Sequence, residues 1–164
     1  MSDLHEVVIT AIVVKKGKYL VMRRSASEKR FPLRWTVPGG RLEVVEYTAR
    51  PKDAHDYWYN VLEKTLEREV KEETGIVIKN VDYVTSLATV HKDGRSSLVI
   101  SCVADYKSGK VRLQEEECDD YAWVSLKEAK KYDLIDGIYD ELVMTELKRR
   151  GKKVVWERRR GPVI

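Results

Sequence analysis

Cysteine, proline and phenylalanine are scarce in this chain of 164 residues, which carries two, four and one of them. Cys102 and Cys118 are too few for a disulfide framework or a zinc ligand set, and they form no CxxC spacing. A fold without covalent staples, in a reducing compartment, is therefore expected. No Pro/Ser-rich or low-complexity stretch divides the chain, and its length suits one globular domain with its own core. Long hydrophobic runs are missing as well. The longest, residues 7–14, is less than half of the roughly 20 residues that a membrane helix needs, and no basic segment precedes it. These absences point to a soluble, cytoplasmic protein with no membrane partner.

The charge balance needs division by position. The formal net charge is +4, yet residues 148–160 hold eight basic side chains (Lys148, Arg149, Arg150, Lys152, Lys153, Arg158, Arg159 and Arg160) against one acid, Glu157. That segment carries +7, which leaves −3 on the rest. An acidic body over residues 1–147 with a basic C-terminal tail over 148–164 is the expected organisation. Such a tail can bind a phosphate backbone, so nucleic acid stays open as a partner. A helix end followed by a solvated or strand-like tail, with Val154, Val155 and Trp156 as the strand, accounts for the same residues and is favoured.

Residues 6–15, EVVITAIVVK, are dense in β-branched side chains, and Lys16-Gly17 turns them toward a second strand at residues 19–22. Trp35-Thr36-Val37-Pro38-Gly39-Gly40 breaks the pattern with a Pro-Gly-Gly run that permits close backbone approach. From Tyr57 to Thr74 the period becomes helical: Trp58, Leu62, Leu66 and Val70 recur every four residues, Asp56 stands as N-cap and Gly75 as the residue after the last turn. Strands over 81–91 and 96–106 flank Lys92-Asp93-Gly94, a short strand falls at 121–124, and a final helix runs over about 135–150. Strands, helix, strands, helix predicts an α/β fold, a central mixed sheet with helices on its faces.

The densest chemical signal is Arg68-Glu69-Val70-Lys71-Glu72-Glu73-Thr74-Gly75-Ile76. On a helix, Glu69, Glu72 and Glu73 fall within an arc of about 100°, where three like charges repel unless a cation sits among them. Carboxylate oxygens are hard ligands suited to Mg²⁺ or Mn²⁺. A solvated glutamate-rich face with i,i+4 pairs such as Glu67 to Lys71 uses the same residues without any metal.

With Gly40, five intervening residues and Glu46 before it, this stretch resembles the signature of the Nudix hydrolases: a glycine, five residues, a glutamate, a spacer, then R-E-U-x-E-E-x-G-U with U aliphatic. Residues 68–76 match its second half without a mismatch. The resemblance covers roughly residues 7–147 and implies an α/β/α sandwich around a mixed sheet. One departure stands out: residues 47–67 fill a spacer that usually holds about seven residues, so about 14 extra residues lie near 47–60, at the mouth of the expected site.

The resemblance implies a catalytic set of Arg68, Glu69, Glu72 and Glu73, in which Glu72 and Glu73 are the principal metal ligands and Glu69 is a further ligand or the base that activates water. Arg68 holds carboxylates in orientation, with Glu46 and Glu69 as candidate partners, and Glu46 and Gly75 complete the structural motif. The Gly39 carbonyl and a carboxylate from Glu116 or Glu117 are candidates to complete a Mg²⁺ or Mn²⁺ site, and Arg24 and Gly40 to meet substrate. Tyr57, Trp58 and Tyr59 stand beside the extra segment, where they stack on a base or, the favoured reading for Trp58, pack in the core or a homodimer interface. Trp35 is expected to pack, and His5, His55 and His91 show no metal-ligand spacing. The implied activity is metal-dependent hydrolysis of a nucleoside diphosphate linked to a further group, with nucleoside triphosphates as the first substrate class. A nucleotide-sensing module without hydrolysis and an RNA 5′-end pyrophosphohydrolase that uses the basic tail are the alternatives.

Overall fold

The structure, a computed structural model, describes residues 4–158. Among them, seven strands and four helices run in the order β1 (His5–Lys15), β2 (Lys18–Arg24), β3 (Trp35–Thr36), β4 (Gly39–Arg41), α1 (Val44–Thr48), α2 (Val61–Thr74), β5 (Val77–Val90), β6 (Ser96–Ser108), β7 (Cys118–Val124), α3 (Leu126–Ala129) and α4 (Ile138–Arg149). The strands form one mixed sheet. β1 lies parallel to β6 and antiparallel to β2 and β4, β5 is antiparallel to β6, and β7 and β3 pair with β2.

Alternation along β1 divides the core into two layers. Ile9, Ala11 and Val13 point to one face, where Leu66 and Val70 of α2 pack with Met22, Ile76 and Cys102. Ile12 and Val14 point to the other, where Leu142 and Met144 of α4 meet Tyr19, Val21 and Val124. The result is the expected α/β/α sandwich. Cys102 and Cys118 are free and buried, and burial pushes their thiols up to about 11 and about 12. No helix among the described residues is long and apolar enough to cross a membrane.

Several boundaries differ from those expected. α2 begins at Val61, four residues later than its periodicity predicts. Trp58 fits the spacing, but its indole Nε1 donates to the Arg50 carbonyl at 3.0 Å and residues 54 and 57 close a small bridge, so this stretch is turned back on itself. Trp58 is thus half-buried against the extra segment and not part of the helical core stripe. Asp56 pairs with Lys52 instead of capping the helix, and the N-cap position falls to Asn60 in the left-handed region. Gly75 does end α2 with a positive φ of 73°. α4 begins only at Ile138, because the Ile135 N–H donates to the Trp35 carbonyl at 2.8 Å and keeps residues 133–135 beside β3. The strand expected at 81–91 starts at Val77 and passes a register shift between Lys79 and Asp82.

The tail also differs from the expected strand. Residues 152–158 adopt no regular structure, and Val155 and Trp156 are exposed. Arg159 and Arg160 lie outside the described residues. At the start of the basic run, Lys148 pairs with Asp82, Arg149 with Asp105 and Arg150 with Glu146, so these charges are balanced within the fold, on the layer opposite α2.

Candidate active site

The site is built on α2, whose buried Leu66 and Val70 fix its rotation on the sheet and turn Glu69 and Glu73 toward β4. β4 is held by β1, with Gly39 opposite Thr10 and Gly40 opposite Ile9. Both glycines are sites of close approach: a Cβ on Gly40 would overlap the Glu69 carboxylate, and one on Gly39 the Ile9 carbonyl. The Pro-Gly-Gly run therefore lets helix and strand come together with acid side chains between them.

Arg68 gathers three carboxylates. Its Nη1 donates to Glu72 Oε2 at 2.6 Å and its Nη2 to Glu69 Oε1 at 2.7 Å, and Nη2 also meets Glu46. Glu46 accepts in addition from Thr65 Oγ1 at 2.8 Å. The extra segment thus leaves the Glu46–Arg68 pairing in place: α1 carries Glu46 to α2, and the added residues loop outward. That loop is organised by Trp58, which packs on Tyr47 with centroids 5.4 Å apart, and by Asp53, whose carboxylate accepts the Tyr59 N–H at 2.8 Å. Tyr57 and Tyr59 are exposed and do not reach the acid array.

Glu73 lies in a different setting. Its Oε2 accepts the Gly39 N–H at 3.1 Å, and its carboxyl is pushed up to about 8. Burial is the largest cause, opposed by the Gly39 N–H; the charges of Glu117 and Glu69 add to the rise and that of Arg24 opposes it. Glu69 is raised too, first by burial, with Arg68 pulling the other way. Arg24 is half-buried beside this group, but its guanidinium is already engaged by Glu28 and by the Arg30 carbonyl at 2.8 Å.

The loop before β7 closes the far side. Gln114 N–H donates to the Glu73 carbonyl at 3.1 Å and Arg112 N–H to that of Thr74 at 2.8 Å, strapping this loop to the end of α2. Ser25 holds the Glu116 carbonyl through its hydroxyl and the Glu117 carbonyl through its N–H. Of the two candidate acids, Glu117 is half-buried and within electrostatic reach of Glu73, whereas Glu116 is exposed. Thr65, Gln114 and Ser25 had no signal in the sequence, since each acts across the fold on a partner distant in the chain.

The three carboxylates share one side of α2, as their spacing predicts, yet among the described residues no three acidic, histidine or cysteine side chains are gathered tightly enough to hold a metal ion as they stand. Arg68 is the reason, because it draws Glu69 and Glu72 to itself while Glu73 turns to Gly39. The donor set nevertheless suits a hard cation. A buried carboxylate flanked by two further acids and met by one N–H is under-compensated, and a divalent ion with oxygen preference would supply the missing charge.

Known proteins resemble this chain in sequence and in fold. The NUDIX domain family matches residues 3–143. The chain is 33% identical over 115 residues to the NAD-capped RNA hydrolase NudC of Mannheimia succiniciproducens, a match covering 68% of this chain and 37% of that protein. It is 27% identical over 139 residues to the nucleoside triphosphatase NudI of Klebsiella pneumoniae, covering 77% and 86%. The chain therefore spans well under half the length of the NudC relative but most of the NudI relative. Among solved structures, a MutT NUDIX hydrolase from Burkholderia pseudomallei superposes with a TM-score of 0.68 at 19% identity, over 87% of this chain and 98% of that one.

Proposed function

Because the chain belongs to the NUDIX domain family and is a hydrolase of pyrophosphate bonds, we propose that it is a divalent-metal-dependent pyrophosphohydrolase of nucleoside diphosphate derivatives, with nucleoside triphosphates as its first substrate class. The carrying observation is the acid array itself: Glu69 and Glu72 oriented by Arg68, and Glu73 buried against Gly39 with no salt bridge among the described residues. The near-full-length match to a nucleoside triphosphatase supports the substrate class.

Glu69, Glu72 and Glu73 are the residues to hold Mg²⁺ or Mn²⁺, with the Gly39 carbonyl and Glu117 beside them; when bound, the ion offsets pyrophosphate charge and acidifies a water molecule. Arg68 restrains Glu69 and Glu72 by charge-assisted hydrogen bonds, and both must turn from it toward Glu73 for the three to share an ion. Glu69 is a further ligand or the base that takes a proton from water; its carboxyl is raised first by burial, with Arg68 opposing the rise. The Gly39 N–H points the Glu73 carboxylate, and Gly40 leaves the space that Glu69 occupies. Arg24 lies beside Glu73 as the candidate phosphate contact once its partner Glu28 yields.

A panel of nucleoside triphosphates, nucleotide sugars and dinucleotides, assayed with Mg²⁺ and with Mn²⁺ and with products identified, tests this. Release of nucleoside monophosphate and pyrophosphate from a triphosphate is the expected result. Turnover that survives chelation of divalent ions would overturn the mechanism.

A further inference from the structure

The segment added between Glu46 and α2 does more than loop away from the site. Together with the outer side of α2 it borders an open groove of about 650 Å³, lined among others by Tyr47, Arg50, Val61, Lys64, Glu67 and Lys71. This volume is within the range of small-molecule sites. It opens on the side of Arg68 away from Glu69, roughly 120° around the helix from the Glu69 and Glu73 face.

Its chemistry is one-sided. Arg50, Lys64 and Lys71 face a single unpaired acid, Glu67, because Glu46 is already taken by Arg68 and Thr65. Among the described residues, no acid pairs with Arg50, Lys64 or Lys71; Arg50 spends only its Nε on the Glu46 carbonyl, and Lys71 donates only to the Gly75 carbonyl. Tyr47 forms a half-buried aromatic wall, held by Trp58, and Val61 and Val77 add apolar surface. An aromatic wall and cations lining one groove match a planar ring carrying a phosphate.

We propose that this groove is a second binding site, for a nucleoside monophosphate, separate from the acid array and coupled to it through Arg68 and Glu46. The ring lies on Tyr47 and the phosphate meets Lys64 and Arg50. Both Arg68 and Glu46 line the groove and also belong to the acid array, so occupancy changes the setting of Glu69 and Glu72. The coupling rests on the hydrolytic role proposed above, whereas binding itself does not.

Tryptophan fluorescence, with Trp58 against Tyr47 as the local reporter and Trp58→Phe as its control, reads binding in the presence of a chelator, where no divalent ion supports the acid array. The probes are adenosine 5′-monophosphate, inorganic phosphate and adenosine, titrated separately. The monophosphate is expected to bind at least tenfold more tightly than phosphate or adenosine, to weaken at least tenfold in Lys64→Glu and in Tyr47→Ala, and to be unchanged in Glu73→Gln. Equal affinity for phosphate and monophosphate, loss of binding in Glu73→Gln, or indifference to both groove variants would overturn the site. With Mg²⁺ and a triphosphate substrate, added monophosphate is expected to change kcat in the unaltered protein and to have no effect on kcat in Lys64→Glu, each compared with its own rate without monophosphate. Competition at KM alone would overturn the coupling. Absence of hydrolysis under all conditions would count against the hydrolytic reading and leave the binding result standing.

Discussion

On one side of the acid array, Glu46, Glu69 and Glu72 share the Arg68 guanidinium, and each carboxylate has a positive partner within hydrogen-bond reach. On the other side, Glu73 has one backbone N–H and two acidic neighbours. The first side is an ion-pair network built on one guanidinium, whose Nε alone is buried without a hydrogen-bond partner. The second is held in place by the packing of α2 at a cost to folding, as expected where a group is kept for binding and not for stability. The two sides should therefore respond to substitution in opposite ways.

The largest effect is expected for Glu73→Gln. The amide keeps the shape and can still accept the Gly39 N–H, but it removes the charge. Turnover should fall by about a hundredfold or more, as for loss of a group that sets metal and charge at a reacting centre, while thermal stability near neutral pH without metal is unchanged or higher, because a carboxyl that ionises more readily in the unfolded chain than in the fold is gone. Steady-state hydrolysis and thermal unfolding of the same preparation check both halves. Retained turnover would place the metal elsewhere.

Arg68→Ala should do the reverse on stability. It leaves three carboxylates facing one another, at a cost of about 1–3 kcal/mol after allowance for the partial exposure of the guanidinium, and turnover drops about tenfold or more as Glu69 loses its orientation. Arg68→Lys is not expected to rescue either property, because one ammonium cannot span the fork that Arg68 makes. Denaturant unfolding beside kcat measurements separates the two effects; full rescue by lysine would show that only charge is needed.

The glycines sharpen the contrast at closer range. In Gly40→Ala the new methyl meets the Glu69 side chain, which can swing aside, so activity should fall about tenfold with a stability loss of about 1 kcal/mol or less. In Gly39→Ala it meets the Ile9 carbonyl on β1, which cannot move without breaking the strand pairing, and the stability loss should be about 2–3 kcal/mol. Equal stability losses would show that β4 is more pliant than its pairing with β1 implies.

The signature stretch was visible because the family pattern specifies particular side chains at particular spacings, and the spacing of Leu62, Leu66 and Val70 with Gly75 after them placed the body and end of α2. The two-layer core could also be read from the density of β-branched residues in β1 and the helix periods. The start of α2 was not legible. Trp58 continues the four-residue spacing by coincidence, and the bond from its indole to Arg50 that overrides it is tertiary. For the same reason the groove beside Arg68 was hidden: Tyr47 and Arg50 face Lys64 and Lys71 only after the added residues have folded back. Convergence of the three glutamates was visible from helix geometry, but Arg68, read as a positioning group, also holds Glu69 and Glu72 apart from Glu73.

A second buried glutamate tells whether burial alone explains Glu73. Glu141 on α4 is 5% exposed and accepts the Ser101 hydroxyl at 3.0 Å. Its carboxyl is raised, first by burial, with the Ser101 hydrogen bond opposing and the nearby Asp140 charge adding. It lies on the layer opposite the acid array and takes no part in it. Because its pKa is higher folded than unfolded, its protonated form favours the native state: that contribution is complete below the unfolded value near 4.5 and is lost as pH rises through the folded value. Glu141→Gln removes this dependence while keeping an acceptor for Ser101. The variant should thus gain in relative stability as pH is raised from 4 toward 8, with activity at neutral pH unaltered. Thermal unfolding across that range, run beside turnover, gives the answer. A pH-independent difference would mean that Glu141 is already compensated when charged, whereas loss of turnover would tie the second layer to catalysis and remove the separation between structural and functional buried acids.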